Sequence, residues 1–205
     1  MKNPTKLFLL ATAISCLAFT KPTPTEPKQI NVVIDVSHGG DDTGASSNGV
    51  TEKQIVQEIA QKIRDLNKNK NVKIYLTRNS DVFLSLNNRT NIINSIKPDL
   101  VISLHLNSSP LETKSGVEMY VCENELYSKS NEMAVKLNSK FAKNNNLKTK
   151  EIKNADFFLL KNSEAPALIV ELGYLTNESD KKYLTEEVEQ TKLASTILEF
   201  ITELE

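Results

Sequence analysis

Apolar residues along the chain fall into short runs that alternate with amphipathic stretches, and this alternation predicts an α/β fold. Compact apolar runs predict strands at 30–35, 72–76, 100–104, 117–121, 157–160 and 167–170. Apolar positions three or four residues apart predict helices at 50–66, 84–96, 130–141 and 188–204. Because strands that alternate with helices form covered parallel sheets, we expect a three-layer α/β/α domain with a mostly parallel, twisted sheet of about six strands and helices on both faces.

The first twenty residues depart from this alternation. Two lysines near the start precede an apolar run at 7–14 that is too short to span a bilayer, a pattern typical of a signal peptide at 1–20. Within this segment, Cys16 ends a loose match to a bacterial lipobox, in which the cysteine is lipidated after cleavage. Two hypotheses stay open, a lipid anchor at Cys16 or plain cleavage near residues 18–20. Under both we expect an exported protein of the periplasm or cell envelope.

Residues 21–29 hold three of the seven prolines and predict an extended polar linker, so a single domain is expected at 30–205. No later stretch is apolar for the roughly 18 residues that a membrane-spanning helix requires. The formal net charge is −1, and lysines and acids are mixed along the chain. This charge gives no reason to expect nucleic acid as a partner. We expect a monomer whose only contact with a membrane would be a lipid anchor.

The chain has two histidines, and each follows an apolar run that predicts a strand. His38 begins a loop with four of the six glycines, and His105 follows the third strand. Because the carboxyl ends of parallel strands meet at one edge, both imidazoles are expected there. Glu52, in the first turn of the next helix, adds a carboxylate that the helix dipole also favours. Two histidines and one carboxylate are a ligand set of catalytic zinc sites, although each residue also has a purely structural interpretation.

Two further acids lie close to these residues in the predicted fold. Asp35, three residues before His38, is a candidate to orient an imidazole, or an acid that caps the end of its strand. Glu171 emerges directly from the apolar run at 167–170, where burial of an unpaired acid is costly. It either forms a salt bridge, for instance to an arginine, or acts as a general acid and base beside a metal.

The order of motifs resembles the zinc-dependent N-acetylmuramoyl-L-alanine amidases of the type-3 family, from about residue 31 to residue 203. The resembling segments are VVIDVSHGGDDTGA at 32–45, Glu52-Lys53, Leu76-Thr77-Arg78, Asp81, Leu86, Arg89, SLHLN at 103–107, Gly116-Val117-Glu118, Pro166 and VELGYLTN at 170–177. The resemblance implies that His38, Glu52 and His105 bind Zn²⁺ and that Glu171 is the catalytic acid/base. Asp35, Arg89 and Asn107 are candidates to support the ligands or to bind substrate.

The resemblance also implies a substrate and a reaction. The substrate is peptidoglycan, and the bond cut is the amide between N-acetylmuramic acid and L-Ala of the stem peptide. Zinc would activate water and polarise the amide carbonyl, and Glu171 would assist attack and protonate the leaving group.

Two features set this sequence apart within the family. Val36-Ser37 stands where the family usually has Pro-Gly, so Ser37 must adopt an ordinary φ or be strained. Some members carry an inhibitory helix between the second histidine and the catalytic glutamate. The interval here is accounted for by the predicted strands and one helix, so we expect no such helix and no need for an activator protein.

Two alternatives to the amidase hypothesis stay open. One is another zinc peptidase of cell-wall peptides, with Arg78 or Arg89 gripping a terminal carboxylate. The other is a non-catalytic peptidoglycan-binding or regulatory module, suggested by the altered Val36-Ser37 segment.

Overall fold

The computed structural model describes residues 29–144 and 148–204, which form a central sheet with helices on both faces. In chain order the strands are β1 (Ile30–Val36), β2 (Ser46–Ser47), β3 (Val50–Thr51), β4 (Val72–Leu76), β5 (Leu100–Asn107), β6 (Val117–Val121), β7 (Thr149–Asn154) and β8 (Ala167–Tyr174). The helices are α1 (Glu52–Leu66), α2 (Leu86–Ile96), α3 (Tyr127–Asn144), α4 (Phe158–Asn162), α5 (Glu178–Thr185) and α6 (Glu187–Thr202).

The main sheet has six strands in the order β4-β1-β5-β8-β6-β7, and β2 and β3 form a separate small ribbon. Strands β4, β1, β5 and β8 are parallel, β6 is antiparallel to β8, and β7 is parallel to β6. Helices α1, α3 and α6 pack together on one face, whereas α2 and α4 pack together on the other. The predicted three-layer α/β/α fold with a mostly parallel sheet is therefore confirmed.

The two faces of the sheet differ in how far they are covered. Alternate side chains of the strands point to opposite faces, and those on the α1, α3 and α6 face enter one large core. The core under α2 and α4 is smaller. It contains strand residues such as Val33, Val101 and Ile169, which precede the carboxyl ends of their strands. Towards the carboxyl ends of the strands the same alternation places Ser103, His105 and Glu171 on this face. Ser103 is buried, whereas His105 and Glu171 are partly exposed.

A buried ionic network joins the end of β1 to its neighbours. The Asp35 carboxylate is 1% exposed and accepts hydrogen bonds from Arg89 (2.9 Å), Thr77 (2.8 Å) and Ser103 (2.7 Å). The sequence predicted that Asp35 either orients an imidazole or caps its strand. Its hydrogen bonds run to these three side chains and not to an imidazole, which favours the structural acid at the strand end.

Two buried arginines hold the backbone that follows β1. Arg89 donates to the carbonyls of Val36 and His38, and Arg78 donates to those of Val36 and Ser37. Both side chains are 3% exposed. The guanidinium groups thus satisfy carbonyls that no strand reaches, and they give the loop a fixed course. Arg89 thus supports the site through the backbone, with four of its five N–H donors bonded within the protein.

The structure corrects one predicted element and adds two that the sequence analysis missed. The apolar run at 157–160 is not a strand: Phe158–Asn162 is the short helix α4, which buries Leu159 and Leu160. Four apolar residues fit either conformation, because periodicity cannot separate a strand from a helix over so short a run. Strand β7 was missed because, as an edge strand, it offers Ile152 as its one apolar residue. Helix α5 was missed because it buries little beyond Leu184 and Asp180.

The predicted signal peptide at 1–20, with Cys16, and nearly all of the linker at 21–29 lie outside the described residues. Within the part of the chain that the structure describes, no helix combines the length and apolar character needed to cross a membrane.

Arg89→Met should destabilise the fold strongly, because it leaves the Asp35 carboxylate buried without its cationic partner. Breaking a buried pair in this way typically costs about 3–5 kcal/mol, which equilibrium unfolding in urea would measure. Arg64→Met removes an arginine paired with Asp65 at the surface and is the matched control, expected to change stability by less than about 1 kcal/mol. Equal effects of the two substitutions would contradict the structural role of Arg89.

Candidate active site

Three side chains from three different elements converge above the sheet. The Oε1 atom of Glu52 lies 3.1 Å from Nε2 of His38 and 3.0 Å from Nδ1 of His105. The two imidazole rings meet edge to face with centroids 5.3 Å apart. The glycine-rich loop, the start of α1 and the upper part of β5 therefore bring together the three residues that the sequence predicted as metal ligands.

Glu52 is fixed by backbone donors on both sides. The amide of Leu106 donates to Oε1 at 3.0 Å, and the amide of Ala45 donates to Oε2 at 2.8 Å. Burial of this residue, which is 3% exposed, disfavours its charged form, but hydrogen bonds from His105 and His38 outweigh burial and lower its pKa. Glu52 is therefore an anionic carboxylate in a defined orientation.

His38 is oriented by a carboxylate that sequence reasoning missed. Its Nδ1 lies 2.8 Å from Oδ2 of Asp42, so Nε2 is the nitrogen that faces Glu52 and His105. Burial opposes the protonated form of His38, but the hydrogen bonds to Glu52 and Asp42 raise its pKa above the ordinary value. The available signal was the position of Asp42, four residues after His38 in the same glycine-rich loop.

The loop reaches this geometry with a left-handed residue at His38, whose φ is 54°. Ser37 is not among the residues with positive φ, so serine fits where the family usually has glycine. The expected choice between an ordinary φ and strain at Ser37 is thus resolved in favour of an ordinary φ. Its hydroxyl points to Glu52, with Oγ 3.5 Å from Oε1.

The surroundings of Gly44 explain why this position of the loop is a glycine. Its φ is +63°, and a Cβ added there would collide with the Glu52 carboxylate and lie 2.6 Å from Cδ2 of the His38 ring. The absence of a side chain at this position lets the two residues approach each other.

The donor set fits a divalent metal ion. One ligand atom each from His38, Glu52 and His105 can be chosen so that all three lie within 4.8 Å of one another. Atoms that are each about 2.0–2.1 Å from a tetrahedral ion lie roughly 3.3 Å apart, close to the two nitrogen–oxygen separations at Glu52. Two imidazoles and one carboxylate also leave one coordination position open, as catalytic sites require.

Glu171 lies beside this cluster without a partner. In the ladder between β5 and β8, Glu171 is the residue opposite His105. Its side-chain Oε2 atom is buried and has no hydrogen-bond partner. Burial, reinforced by the charges of Glu52 and Glu118, raises the pKa of Glu171 to about 7 although His105 acts in the opposite direction. No lysine or arginine of the described chain pairs with Glu171, so the salt-bridge alternative is wrong.

The cluster and Glu171 share an open cleft of about 510 Å³. Phe83 and Leu86 line one side, Phe157 and Phe158 line the other, and all four are exposed. Asn107 lies at the end of β5 and also lines the cleft, as a substrate-binding residue should. The cleft thus offers apolar walls around a polar centre.

The interval between His105 and Glu171 contains helices α3 and α4. Helix α3 packs on the opposite face of the sheet, against α6. Helix α4 contributes Phe158 and Leu159 to the wall of the cleft. Among residues 29–144 and 148–204, no helix fills the cleft, in line with the expectation that no inhibitory helix is present.

A two-histidine, one-carboxylate cluster beside an unpaired acid, on the open face of an α/β sheet, is the arrangement of a metal-dependent hydrolase. The sequence profile of the N-acetylmuramoyl-L-alanine amidases matches residues 32–203. The chain therefore belongs to this amidase family.

Individual relatives agree with the profile. The chain is 32% identical over 175 residues to the uncharacterised protein YqiI of Bacillus subtilis, covering 85% of this chain and 84% of that protein. It is 31% identical to the amidase LytC of B. subtilis over 81% of this chain, although it spans 34% of the length of LytC. The catalytic domain of the amidase CwlV from Bacillus (Paenibacillus) polymyxa superposes with a TM-score of 0.80 at 30% identity, covering 86% of this chain and 98% of that one.

Asp42→Asn should weaken binding of a divalent metal ion, because it replaces the charged acceptor that fixes the tautomer of His38 with a neutral, weaker one. Loss of such a supporting carboxylate typically reduces metal affinity about 10- to 100-fold, measurable by competition with a chromophoric chelator. Asp41→Asn alters the adjacent exposed acid and is the matched control, expected to leave affinity unchanged. A metal affinity in Asp42→Asn equal to that of the wild type would rule out this role.

Proposed function

We propose that the protein hydrolyses the amide between the lactyl group of N-acetylmuramic acid and L-Ala in peptidoglycan, with Zn²⁺ held by His38, Glu52 and His105. One observation carries the proposal: the unpaired Glu171 lies beside the converging His–Glu–His cluster, in a cleft open to a large substrate. Membership of the amidase family supports this bond as the target.

The choice of zinc rests on the donor atoms. Nitrogen and oxygen ligands with an open fourth position suit Zn²⁺, whereas Ca²⁺ and Mg²⁺ prefer all-oxygen sites. When bound, zinc supplies Lewis acidity that polarises the amide carbonyl and makes water easier to deprotonate.

Glu171 is proposed to move the proton. Its Oε2 atom accepts a proton from water as the water oxygen attacks the amide carbon. The same carboxyl then donates that proton to the leaving nitrogen as the carbon–nitrogen bond breaks. The products are a lactyl carboxylic acid on the sugar and a stem peptide with a free L-Ala amine, so atoms and protons balance.

The alternative functions have less support. A carboxypeptidase needs a cation within one residue of the cut bond to grip the terminal carboxylate, but the two predicted candidates, Arg78 and Arg89, are buried and donate to backbone carbonyls. A non-catalytic module was suggested by the Val36-Ser37 segment, and Ser37 is accommodated there without a left-handed φ. The proposed ligands and Glu171 are all present in the chain.

We also propose that the chain is exported and that Cys16 carries the lipid anchor. The cell-wall amidases among its relatives support export, and the lipobox-like segment supports the anchor. Intact mass of the mature protein should correspond to an acylated N-terminus at Cys16. A mature N-terminus after residue 16 without acylation would exclude the anchor while leaving export intact.

Glu171→Gln should abolish hydrolysis of purified sacculi while leaving the zinc content of the protein unchanged. Loss of a general acid/base typically costs about 10²- to 10⁴-fold in rate, and mass spectrometry of released peptides with free L-Ala amines measures it. The glutamine keeps the shape of the side chain, so the loss reports on proton transfer.

Glu164→Gln, in the exposed segment before β8, is the matched control and should retain full activity. A chelator should stop the wild-type reaction, and added Zn²⁺ should restore it. If wild type and Glu171→Gln are equally inert on sacculi, the binding-module alternative is correct instead.

A further inference from the structure

We propose that Lys150 and Lys153 form a subsite for a free carboxylate of the stem peptide, beyond the L-Ala residue at which the chain is cut. This inference rests on the proposed function and assigns a substrate preference to side chains that lie next to the cleft. The ligand is defined by its chemistry, as an acidic peptide whose carboxylate is free and not amidated.

The two lysines contact the end of a row of side chains that runs across the sheet from the metal-ligand cluster. His105 pairs with Glu171 between β5 and β8, and Glu171 pairs with Glu118 between β8 and β6. Directly paired residues project to the same face of a sheet. Strand β7, which carries Lys150 and Lys153, lies next to β6.

The distance matches a short peptide. Neighbouring strands are about 4.8 Å apart, so β7 lies roughly 10 Å from β8 and its Glu171. An extended peptide advances about 3.3–3.6 Å per residue, so a stem crosses this gap in about three residues. Glu171 is proposed to protonate the leaving nitrogen, so that nitrogen lies next to Glu171. The released peptide is then expected to extend from Glu171 towards β7, away from His105.

Glu118 holds the lysines but does not use all of their hydrogen-bonding capacity. Its carboxylate, 3% exposed, accepts hydrogen bonds from Lys150 (2.6 Å), Tyr174 (2.6 Å), Tyr120 (2.8 Å) and Lys153 (2.9 Å). Burial opposes ionisation of Glu118, but these four donors lower its pKa, so it is charged. Each ammonium has three N–H donors, of which Glu118 takes one, and Lys150 also donates to the Tyr174 hydroxyl at 3.4 Å.

Taken by themselves, the two lysines and Glu118 sum to a positive charge, and the ammonium groups lie at the surface. Two ammonium groups face one carboxylate, and the side chains of Lys150 and Lys153 are 33% and 49% exposed. Lys150 also lies over the Tyr174 ring, 4.6 Å from its centroid, which restrains the ammonium. The lysine side chains are already held in place, so binding of a carboxylate here costs little of their side-chain entropy.

The cluster also adjoins the wall of the cleft. The Tyr120 ring packs edge to face on Phe157, with centroids 5.3 Å apart, and Phe157 lines the cleft. Lys140 provides a contrast on the other side of the molecule: it is paired with both Glu199 and Glu203 and is 15% exposed. Two carboxylates more than balance the charge of one lysine, so Lys140 is not expected to attract an anionic ligand and is a suitable control.

The test compares two N-acetylmuramoyl peptides of one sequence, with the stem carboxylates either free or converted to amides. For the wild type, KM for the free-acid substrate should be about tenfold lower than for the amide, since each partly exposed ion pair contributes about two- to fivefold. In Lys150→Met/Lys153→Met the ratio of the two KM values should approach one. Lys150→Arg/Lys153→Arg should keep the preference, and Lys140→Met should not alter it.

Two further measurements separate charge recognition from a loss of structure. High salt should reduce the wild-type preference, because partly exposed charges are screened. Binding of the two released peptides, acid and amide, can be followed by calorimetry without any turnover, and a thermal melt shows whether the substitutions destabilise the domain.

The outcomes distinguish the two proposals. If the wild type hydrolyses and binds both forms equally, the subsite is overturned and the amidase proposal stands. If the wild type hydrolyses neither form but binds the acid peptide in a lysine-dependent way, the subsite stands and the amidase proposal fails. A preference that survives in Lys150→Met/Lys153→Met also overturns the subsite.

Discussion

The structure of the site depends on the buried contact of Arg89 with Asp35 and with the backbone that follows β1. A parallel strand ends where its neighbours stop supplying hydrogen bonds, and buried carbonyls beyond that point need another donor. Arg78 and Arg89 supply these donors to residues 36–38, and Asp35 balances the charge of Arg89. The left-handed turn at His38 is stable because its carbonyl is held, so the imidazole has one direction in which to project.

This constraint explains why residues far apart in the sequence act as one unit. The loop that the arginines hold carries His38, Asp42 and Gly44, and the amide of Ala45 at its end orients Glu52. Lys53 and Asp81 tie the same loop from outside, through the carbonyl and the amide of Gly40. Several motif residues of the family are therefore framework for the loop.

The sequence allowed prediction of the layers, the order of the main elements and the four residues that converge in the cleft. These succeeded because long apolar runs and helical periods report burial, and because strand ends in parallel sheets meet at one edge. The choice between Asp35 and Asp42 as partner of His38 was beyond such reasoning. It depends on the turn at His38, which arises from contacts with Arg89 on a distant helix.

The edge strand β7 was also beyond prediction from the sequence, because its position depends on contacts with Glu118. A segment of polar residues such as TKEIKN has no periodic apolar signal, and its conformation depends on tertiary partners. Lys150 and Lys153 ion-pair with Glu118, and these pairs help to hold the segment against β6. The strand and the charge cluster thus depend on each other, which is why neither was visible in the sequence.

Three carboxylates, those of Glu52, Glu171 and Glu118, face the same side of the sheet, and their partners make them different. Glu52 is neutralised by two histidines and Glu118 by two lysines, so both have lowered pKa values. Glu171 has no cationic partner of its own, and burial together with the charges of Glu52 and Glu118 raises its pKa. Because Glu52 and Glu118 are charged, they favour the protonated form of Glu171, which retains a proton more readily than either of them. Burial is the largest cause of the raised pKa of Glu171, and the charges of Glu52 and Glu118 add to it because their own partners keep them ionised.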